Sequence, residues 1–282
     1  MYAADAAPSQ VPAAASHALV DGHVHLHDGF DVPAFLDAAA ANLAAVAKHL
    51  RLPDDTIGCL LLVECRGVDY FARIADGTVS TGAWRVSRTD EPVSLLLRRP
   101  GALPTVLVAG RQIVCREGLE VLALATRAEF EDGMPLVDVV RAVRAAGALV
   151  VVPWGFGKWW FGRRQVLDDL LRSAQPGDIF LGDNGNRARL APPPAAFRTA
   201  ARRRLWILPG SDPLPLPWEV ARAGRNGFML QGLVSAAHPA RDLVHLIRKQ
   251  SASPQIFGRG EALPSFVRNQ IAMQLRKRRP SG

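Results

Sequence analysis

Val20-Asp21-Gly22-His23-Val24-His25-Leu26-His27-Asp28 is the stretch on which the interpretation of this chain depends. It has the alternation of an apolar strand and contains three of the seven histidines of the protein. His23 and His25 are two residues apart, so in a strand both side chains point to the same face. Two imidazoles on one face at a strand end can bind a divalent metal ion. The alternative is a polar strand terminus with solvated histidines, and the His-x-His spacing alone leaves both interpretations open.

The length and composition are those of a soluble globular protein. The chain has 282 residues, of which 49% are hydrophobic and 7% aromatic, which fits a core of alanine, valine and leucine. No uninterrupted apolar window reaches the roughly 18 residues that a membrane span requires, so we expect none. Cys59, Cys65 and Cys115 show no metal-type spacing and leave one cysteine unpaired, so the expected compartment is the reducing cytoplasm.

The charge of the chain is basic. The formal net charge is +8, and basic residues concentrate in Arg202-Arg203-Arg204 and Arg276-Lys277-Arg278-Arg279. This balance favours anionic partners, whereas the alternative is a solvated basic face. Residues 266–275 have the spacing of an amphipathic helix, which would pack on the rest of the fold or on a second subunit of a homo-oligomer. We expect an anionic small-molecule partner, which phosphoesters would satisfy, and rank nucleic acid last.

Strands and helices alternate along most of the chain. Residues 18–25, 33–50 and 56–63 have the patterns of strand, helix and strand, the unit of a parallel sheet, and the alternation resumes from residue 135. Short strand-like runs within residues 77–118 predict inserted antiparallel hairpins. The count of units predicts an α/β barrel. We therefore expect a disordered lead-in over residues 1–17, a single barrel over 18–250, and a C-terminal helix with a basic tail over 251–282.

Polar side chains recur where the predicted strands end, and in α/β barrels chemistry gathers at the carboxyl ends of strands. Glu120 lies in an apolar run, where an unpaired carboxylate is costly to bury unless a metal ion or an arginine accompanies it. Asp212 precedes a proline-rich helix start and has the alternative role of a helix N-cap. The other polar residues at strand ends, besides His23 and His25, are Glu64, Asp183, Asn184 and Ser211.

The loop Trp154-Gly155-Phe156-Gly157-Lys158-Trp159-Trp160 has the composition of a ligand pocket. Gly155 and Gly157 allow close approach of the backbone, and Lys158 with Arg163 supplies positive charge for a phosphate or carboxylate. The loop lacks the spacing of a P-loop. In the alternative interpretation the tryptophans are core anchors and Lys158 is solvated.

These residues resemble a known family. Asp21-Gly22-His23-Val24-His25 resembles the Asp-x-His-x-His opening of the PHP (polymerase and histidinol phosphatase) domains. Arg116-Glu117-Gly118-Leu119-Glu120-Val121 is similar to the family's glycine-then-glutamate strand, and Gly210-Ser211-Asp212 to its closing Ser-Asp-x-His. The resemblance implies a distorted (β/α)7-type barrel, up to three divalent metal ions and phosphoester hydrolysis.

The chain departs from the PHP pattern at several positions. Glu64-Cys65 stands where the family has an Asp-His pair, there is no histidine between His49 and His238, and Leu214 occupies the place of the closing histidine. The remaining set suits one or two ions of manganese, zinc or iron. The expected metal ligands are His23, His25, Glu120, Asp183 and Asp212.

The resulting expectation is a metal-dependent hydrolase, phosphoesterase-like, in which a metal-activated water attacks the substrate. The alternative is a non-catalytic barrel that binds a ligand or a protein partner. Glu64 or Asp183 would act as general base, and Lys158 would join them at the catalytic centre. The expected substrate-binding residues are Gly155, Gly157, Lys158, Arg163 and Asn184.

Overall fold

The computed structural model describes residues 14–278; of the expected disordered lead-in, residues 1–13 lie outside the described part and residues 14–17 belong to the first strand. Within that part, the helices are α1 (Val32–Leu50), α2 (Tyr70–Ala75), α3 (Leu136–Ala145), α4 (Gly162–Ser173), α5 (Ala195–Arg202), α6 (Pro239–Arg248) and α7 (Leu263–Arg278). The strands are β1 (Ala14–Val24), β2 (Ile57–Leu62), β3 (Arg85–Arg88), β4 (Ser94–Arg98), β5 (Thr105–Val108), β6 (Gly110–Val114), β7 (Glu120–Leu124), β8 (Leu149–Pro153), β9 (Phe180–Asp183), β10 (Ile207–Pro209), β11 (Gly227–Ser235) and β12 (Gln255–Phe257).

The strands form two mixed sheets. The larger has seven strands in the order β12-β11-β1-β2-β5-β4-β3, with β1, β2 and β5 parallel and antiparallel strands on both sides. The smaller has five strands in the order β10-β9-β8-β7-β6, with β8, β9 and β10 parallel. Residues 77–118 were expected to form inserted hairpins. Within them, β3 is an edge strand of the larger sheet, β4 and β5 are its next two strands, and β6 is an edge strand of the smaller sheet.

The expectation of a distorted (β/α)7 barrel is wrong, because the strands belong to two separate sheets. The chain passes from one sheet to the other at Ala109, between β5 and β6. The sheets meet at two seams. At one seam Glu64 N donates to Gly110 O at 3.1 Å, and at the other Asp212 N donates to His23 O at 2.8 Å. A few such bonds join the sheets without a continuous ladder. The local strand–helix alternation is real, but it does not determine whether a sheet closes.

Three apolar clusters hold the layers together. One contains residues of both sheets and of α6, such as Val20, Leu61, Leu122 and Leu243. A second joins the smaller sheet to α3, α4 and α5, and a third joins the larger sheet to α1 and α2. Burial of this apolar surface supplies the main favourable term in folding.

None of the described helices combines the length and apolarity needed to cross a membrane.

Candidate metal centre

Three side chains meet where β1 and β10 end. His23 lies in β1, His25 follows it by two residues, and Asp212 lies in the loop after β10. The two Nε2 atoms are 3.1 Å apart, and Asp212 Oδ1 lies 3.5 Å from His23 Nε2 and 3.6 Å from His25 Nε2. Ligands at about 2.0–2.1 Å around a tetrahedral ion are roughly 3.3 Å from one another. This cluster could therefore hold a metal ion.

The protonation states of the cluster suit a ligand role. Burial and, next in size, the neighbouring His23 lower the pKa of His25 to about 3, so the imidazole is neutral near pH 7. Burial alone would raise the pKa of Asp212, but His23 and His25 hold it below its ordinary value, so the carboxylate is ionised. Neutral imidazole and ionised carboxylate are the forms that bind metal ions.

Two amides orient the Asp212 carboxylate. Asn184 Nδ2 donates to Asp212 Oδ2 at 2.7 Å, and Asn186 Nδ2 donates to the same oxygen at 3.0 Å. Oδ2 is thereby held away from the histidines, and Oδ1 is left to face both Nε2 atoms. Hydrogen bonds of this kind to a ligand carboxylate fix its direction and raise metal affinity.

We expect the double variant Asn184→Ala/Asn186→Ala to bind metal about 10- to 100-fold more weakly, because the carboxylate loses the donors that orient it. Isothermal titration with Zn(II) or Mn(II) measures the change. Gln165→Ala, which removes an exposed amide on α4, is the matched control and should leave the affinity unaltered. Equal affinity of the double variant and the wild type would contradict the orienting role.

Asp21 anchors the two strands that carry the ligands. Its carboxylate is fully buried and accepts from Ser211 N at 2.8 Å, Gly224 N at 2.7 Å and His23 N at 3.3 Å, and also from Ser211 Oγ. Burial raises the pKa of Asp21 to about 6, although these hydrogen bonds act to lower it. Asp21 thus joins β1 directly to the residue that precedes Asp212.

A glycine allows the close contact between these strands. A Cβ atom on Gly210 would lie 2.2 Å from His23 N, which is closer than any real contact. Any side chain at position 210 would therefore push β10 away from β1. The ligand triangle, by which we mean His23, His25 and Asp212, depends on the close approach of β10 to β1, because His23 lies in one sheet and Asp212 follows a strand of the other.

The three ligands open into a cavity of about 380 Å³. Lys158 Nζ contacts Glu120 Oε1 inside it, so the cation that accompanies the Glu120 carboxylate is a lysine on the neighbouring loop. Glu120 is the first residue of β7, which runs antiparallel to β8, so it lies at the edge where β8 ends. The other lining residues are mainly amides and apolar side chains: Gln112, Asn184, Asn186, Gln270, Gln274, Trp154, Phe156, Met273 and Leu214, with His27, Cys65, Gly155, Pro213 and Pro215.

Helix α7 forms one wall of the cavity. Gln270, Met273 and Gln274 line it, and the buried Asn269 ties the helix down by donating to Glu219 Oε1 at 3.0 Å and accepting from Trp218 Nε1 at 2.9 Å. Four apolar residues of α7 are exposed: Leu263, Val267, Ile271 and Leu275. They are the residues that the predicted homo-oligomer through this helix would bury, and that oligomer stays a prediction.

Other residues singled out from the sequence lie outside the ligand triangle. Asp183 Oδ2 accepts from Arg187 Nη2 at 2.9 Å. Glu64 accepts from Phe71 N at 3.0 Å and from Arg111 Nη1 at 2.7 Å, and burial raises its pKa to about 6. Neither carboxylate is among the residues that line the cavity. Arg163 and Gly157 contact each other, since Arg163 Nη2 donates to Gly157 O at 3.0 Å.

Sequence reasoning missed several contributors to this centre. The anchoring role of Asp21 follows only from its four donors, which are far apart in the chain. The sequence analysis predicted no role for Asn186, although it lies two residues after Asn184, the same spacing as between His23 and His25. Gln112 and the cavity-lining residues of α7 carried no local signal, because amides in a strand or helix are usually solvated.

Comparison with known proteins places the fold but gives no family. No protein-family model matches the chain, and no curated protein matches it. PsfC from Pseudomonas syringae PB-5123 is similar in structure, with a TM-score of 0.56 and 16% identity over 92% of this chain and 99% of PsfC. The lesion-specific endonuclease PfuEndoQ from Pyrococcus furiosus gives a TM-score of 0.47 and 12% identity, over 85% of this chain and 57% of the endonuclease. The first likeness is one of fold, and the second is too distant to support an inference.

Proposed function

We propose that this protein is a metal-dependent hydrolase that acts on a small anionic substrate, with phosphoesters as the first class to test. The observation that carries the proposal is the convergence of His23, His25 and Asp212 in the lining of one cavity. The same residues belong to the two sequence segments that resemble the opening and closing motifs of PHP domains.

His23, His25 and Asp212 would hold the divalent ion. Two imidazoles and one carboxylate suit manganese, zinc or iron, and they leave coordination positions free for water or substrate. The chemistry that such an ion supplies when bound is a water of lowered pKa and polarisation of a phosphoryl or carbonyl oxygen.

The other charged side chains of the cavity suit binding and proton transfer. Lys158 offers an ammonium group to the anionic part of a substrate. Glu120 is the acidic side chain that lines the cavity besides Asp212, so it is well placed to accept a proton. Glu64 and Asp183, to which the sequence assigned this role, stay predictions, and each is already paired with an arginine. The amides would orient the substrate by hydrogen bonds, as Asn184 already orients Asp212.

The shape of the cavity favours a small substrate. A volume of about 380 Å³ is in the range of sites for small molecules, and α7 walls it on one side. Met273, Leu214 and the aromatic Trp154 and Phe156 make part of the lining apolar, which limits the access of bulk water.

A second candidate is binding of a ligand or protein partner without catalysis. The pairing of Glu120 with Lys158 favours it, because the carboxylate is already occupied by the ammonium group. The two candidates differ in a single measurable property, which is turnover.

The test is hydrolysis by the full-length protein, stripped with a chelator and reloaded with Mn(II), Zn(II) or Fe(II). We expect at least one form to hydrolyse a member of a panel of phosphomonoesters and phosphodiesters, and renewed chelation to abolish the turnover. Glu120→Gln should lower kcat by about 100-fold or more, the usual contribution of a positioned proton acceptor. If all three metal forms fail on the whole panel, with DNA oligonucleotides included, the proposed reaction is contradicted and the non-catalytic candidate gains support.

A further inference from the structure

Lys158 and Glu120 form an ion pair at the cavity. Lys158 follows β8 and Glu120 begins β7, so the two charges come from neighbouring strands. The aliphatic stem of Lys158 lies against the backbone of Gly155, where a Cβ atom would come within 2.7 Å of Lys158 Cδ. The absence of a side chain at Gly155 therefore lets the lysine fold back over its own loop. The Glu120 side chain is 15% exposed, so water does little to stabilise its charge.

The ion pair lies beside the metal ligands. Glu120, Lys158, His23, His25 and Asp212 line one cavity. Gln112 lines the same cavity, and its Nε2 lies 3.9 Å from Cys65 Sγ. Burial raises the pKa of the Cys65 thiol, and the carboxylates of Glu120, Asp132 and Asp212 raise it further, whereas Lys158 lowers it. The carboxylates of Glu120 and Asp212 therefore face a shared space.

The charges in this space add up to a simple balance. Counted as formal charges with the histidines neutral, the charged side chains that line the cavity are Glu120, Asp212 and Lys158, which together carry −1. One divalent ion changes this to +1, which attracts an anionic substrate. A second divalent ion would change it to +3 and would have to compete with the ammonium group for Glu120.

We propose that the Lys158 ammonium group occupies the position of a second cation and limits the centre to one divalent ion. This inference rests on the proposed function, because it assumes that the ligand triangle binds metal. It makes Lys158 a fixed positive charge that stays in the site when the ion is removed. An anionic group of the substrate would then bind between the ion and Lys158, releasing Glu120 from its partner as it does so.

The experiment measures ions bound per chain. The full-length protein is saturated with Mn(II), and bound metal is determined by elemental analysis and by electron paramagnetic resonance. The wild type is expected to bind one ion, with the spectrum of an isolated Mn(II). Lys158→Met keeps the aliphatic stem but removes the charge, and it is expected to bind two ions with the spectrum of a spin-coupled pair. Lys158→Arg, which keeps the charge, should bind one.

The outcomes separate this inference from the proposed function. Two ions in the wild type overturn the inference and leave the metal centre standing, whereas no ion in the wild type overturns both. A stoichiometry of one in Lys158→Met, in a protein whose circular dichroism spectrum matches the wild type, also overturns the inference. If Lys158→Met does not fold, Lys158→Gln serves in its place, and the wild-type stoichiometry still decides whether the inference survives.

Discussion

The double variant His23→Ala/His25→Ala is expected to lose metal binding, with bound metal falling from about one ion per chain to the background of the buffer. Removal of a group that only orients a ligand costs about 10- to 100-fold in affinity, so removal of two ligands costs more. A single carboxylate, Asp212, would remain of the three groups whose atoms lie within 4.8 Å of one another. Elemental analysis of protein dialysed against Zn(II) or Mn(II) measures the effect.

The matched control removes two histidines elsewhere. His49 on α1 and His245 on α6 are exposed, and His49→Ala/His245→Ala should keep the wild-type metal content. This control separates specific binding from the weak affinity of any surface imidazole. Equal metal content in the two double variants would contradict the assignment of the ligands, and with it the proposed hydrolase.

Asp21→Ala is expected to lower the free energy of unfolding by roughly 3 kcal/mol or more, because it leaves several buried hydrogen-bond donors without an acceptor. Asp21 is fully buried and accepts hydrogen bonds from Ser211, Gly224 and His23. The loss of these bonds loosens the end of β1 from the loop that carries Asp212. Urea unfolding, followed by circular dichroism, measures the change in stability.

Two further variants define the cause. Asp21→Asn keeps one acceptor oxygen but presents an amide N–H₂ group to Gly224 N, so its loss of stability should be smaller than that of Asp21→Ala. Asp138→Ala removes an exposed carboxylate from a helix surface, where the change should be within about 0.5 kcal/mol. If Asp21→Ala is as stable as Asp138→Ala, the anchoring role of Asp21 is contradicted.

Local sequence patterns predicted the parts of the centre that depend on spacing. The two-residue interval between His23 and His25 placed both imidazoles on one face, and the recurrence of polar residues after strands pointed to Asp212. Both signals rest on the geometry of a single strand or of a strand end. They are visible in the chain without knowledge of the partners.

The remaining features depend on contacts between distant segments. Whether the strands form one closed sheet is decided at two seams, where one or two hydrogen bonds take the place of a continuous ladder. The alternation of strands and helices in the sequence does not predict this. Glu120 was expected to need a cation, and the sequence could not tell whether an ion or Lys158 would supply it. Asp21 accepts hydrogen bonds from residues 190 and 203 positions away, and Asn269 of α7 bonds to residues 50 and 51 positions away.

The seam between β1 and β10 has a consequence for how the molecule moves. His23 belongs to the seven-stranded sheet, and Asp212 follows a strand of the five-stranded sheet. An ion bound to both residues would therefore link the two sheets. Relative motion of the two sheets would then be smaller when the ion is bound and larger when the ion is removed.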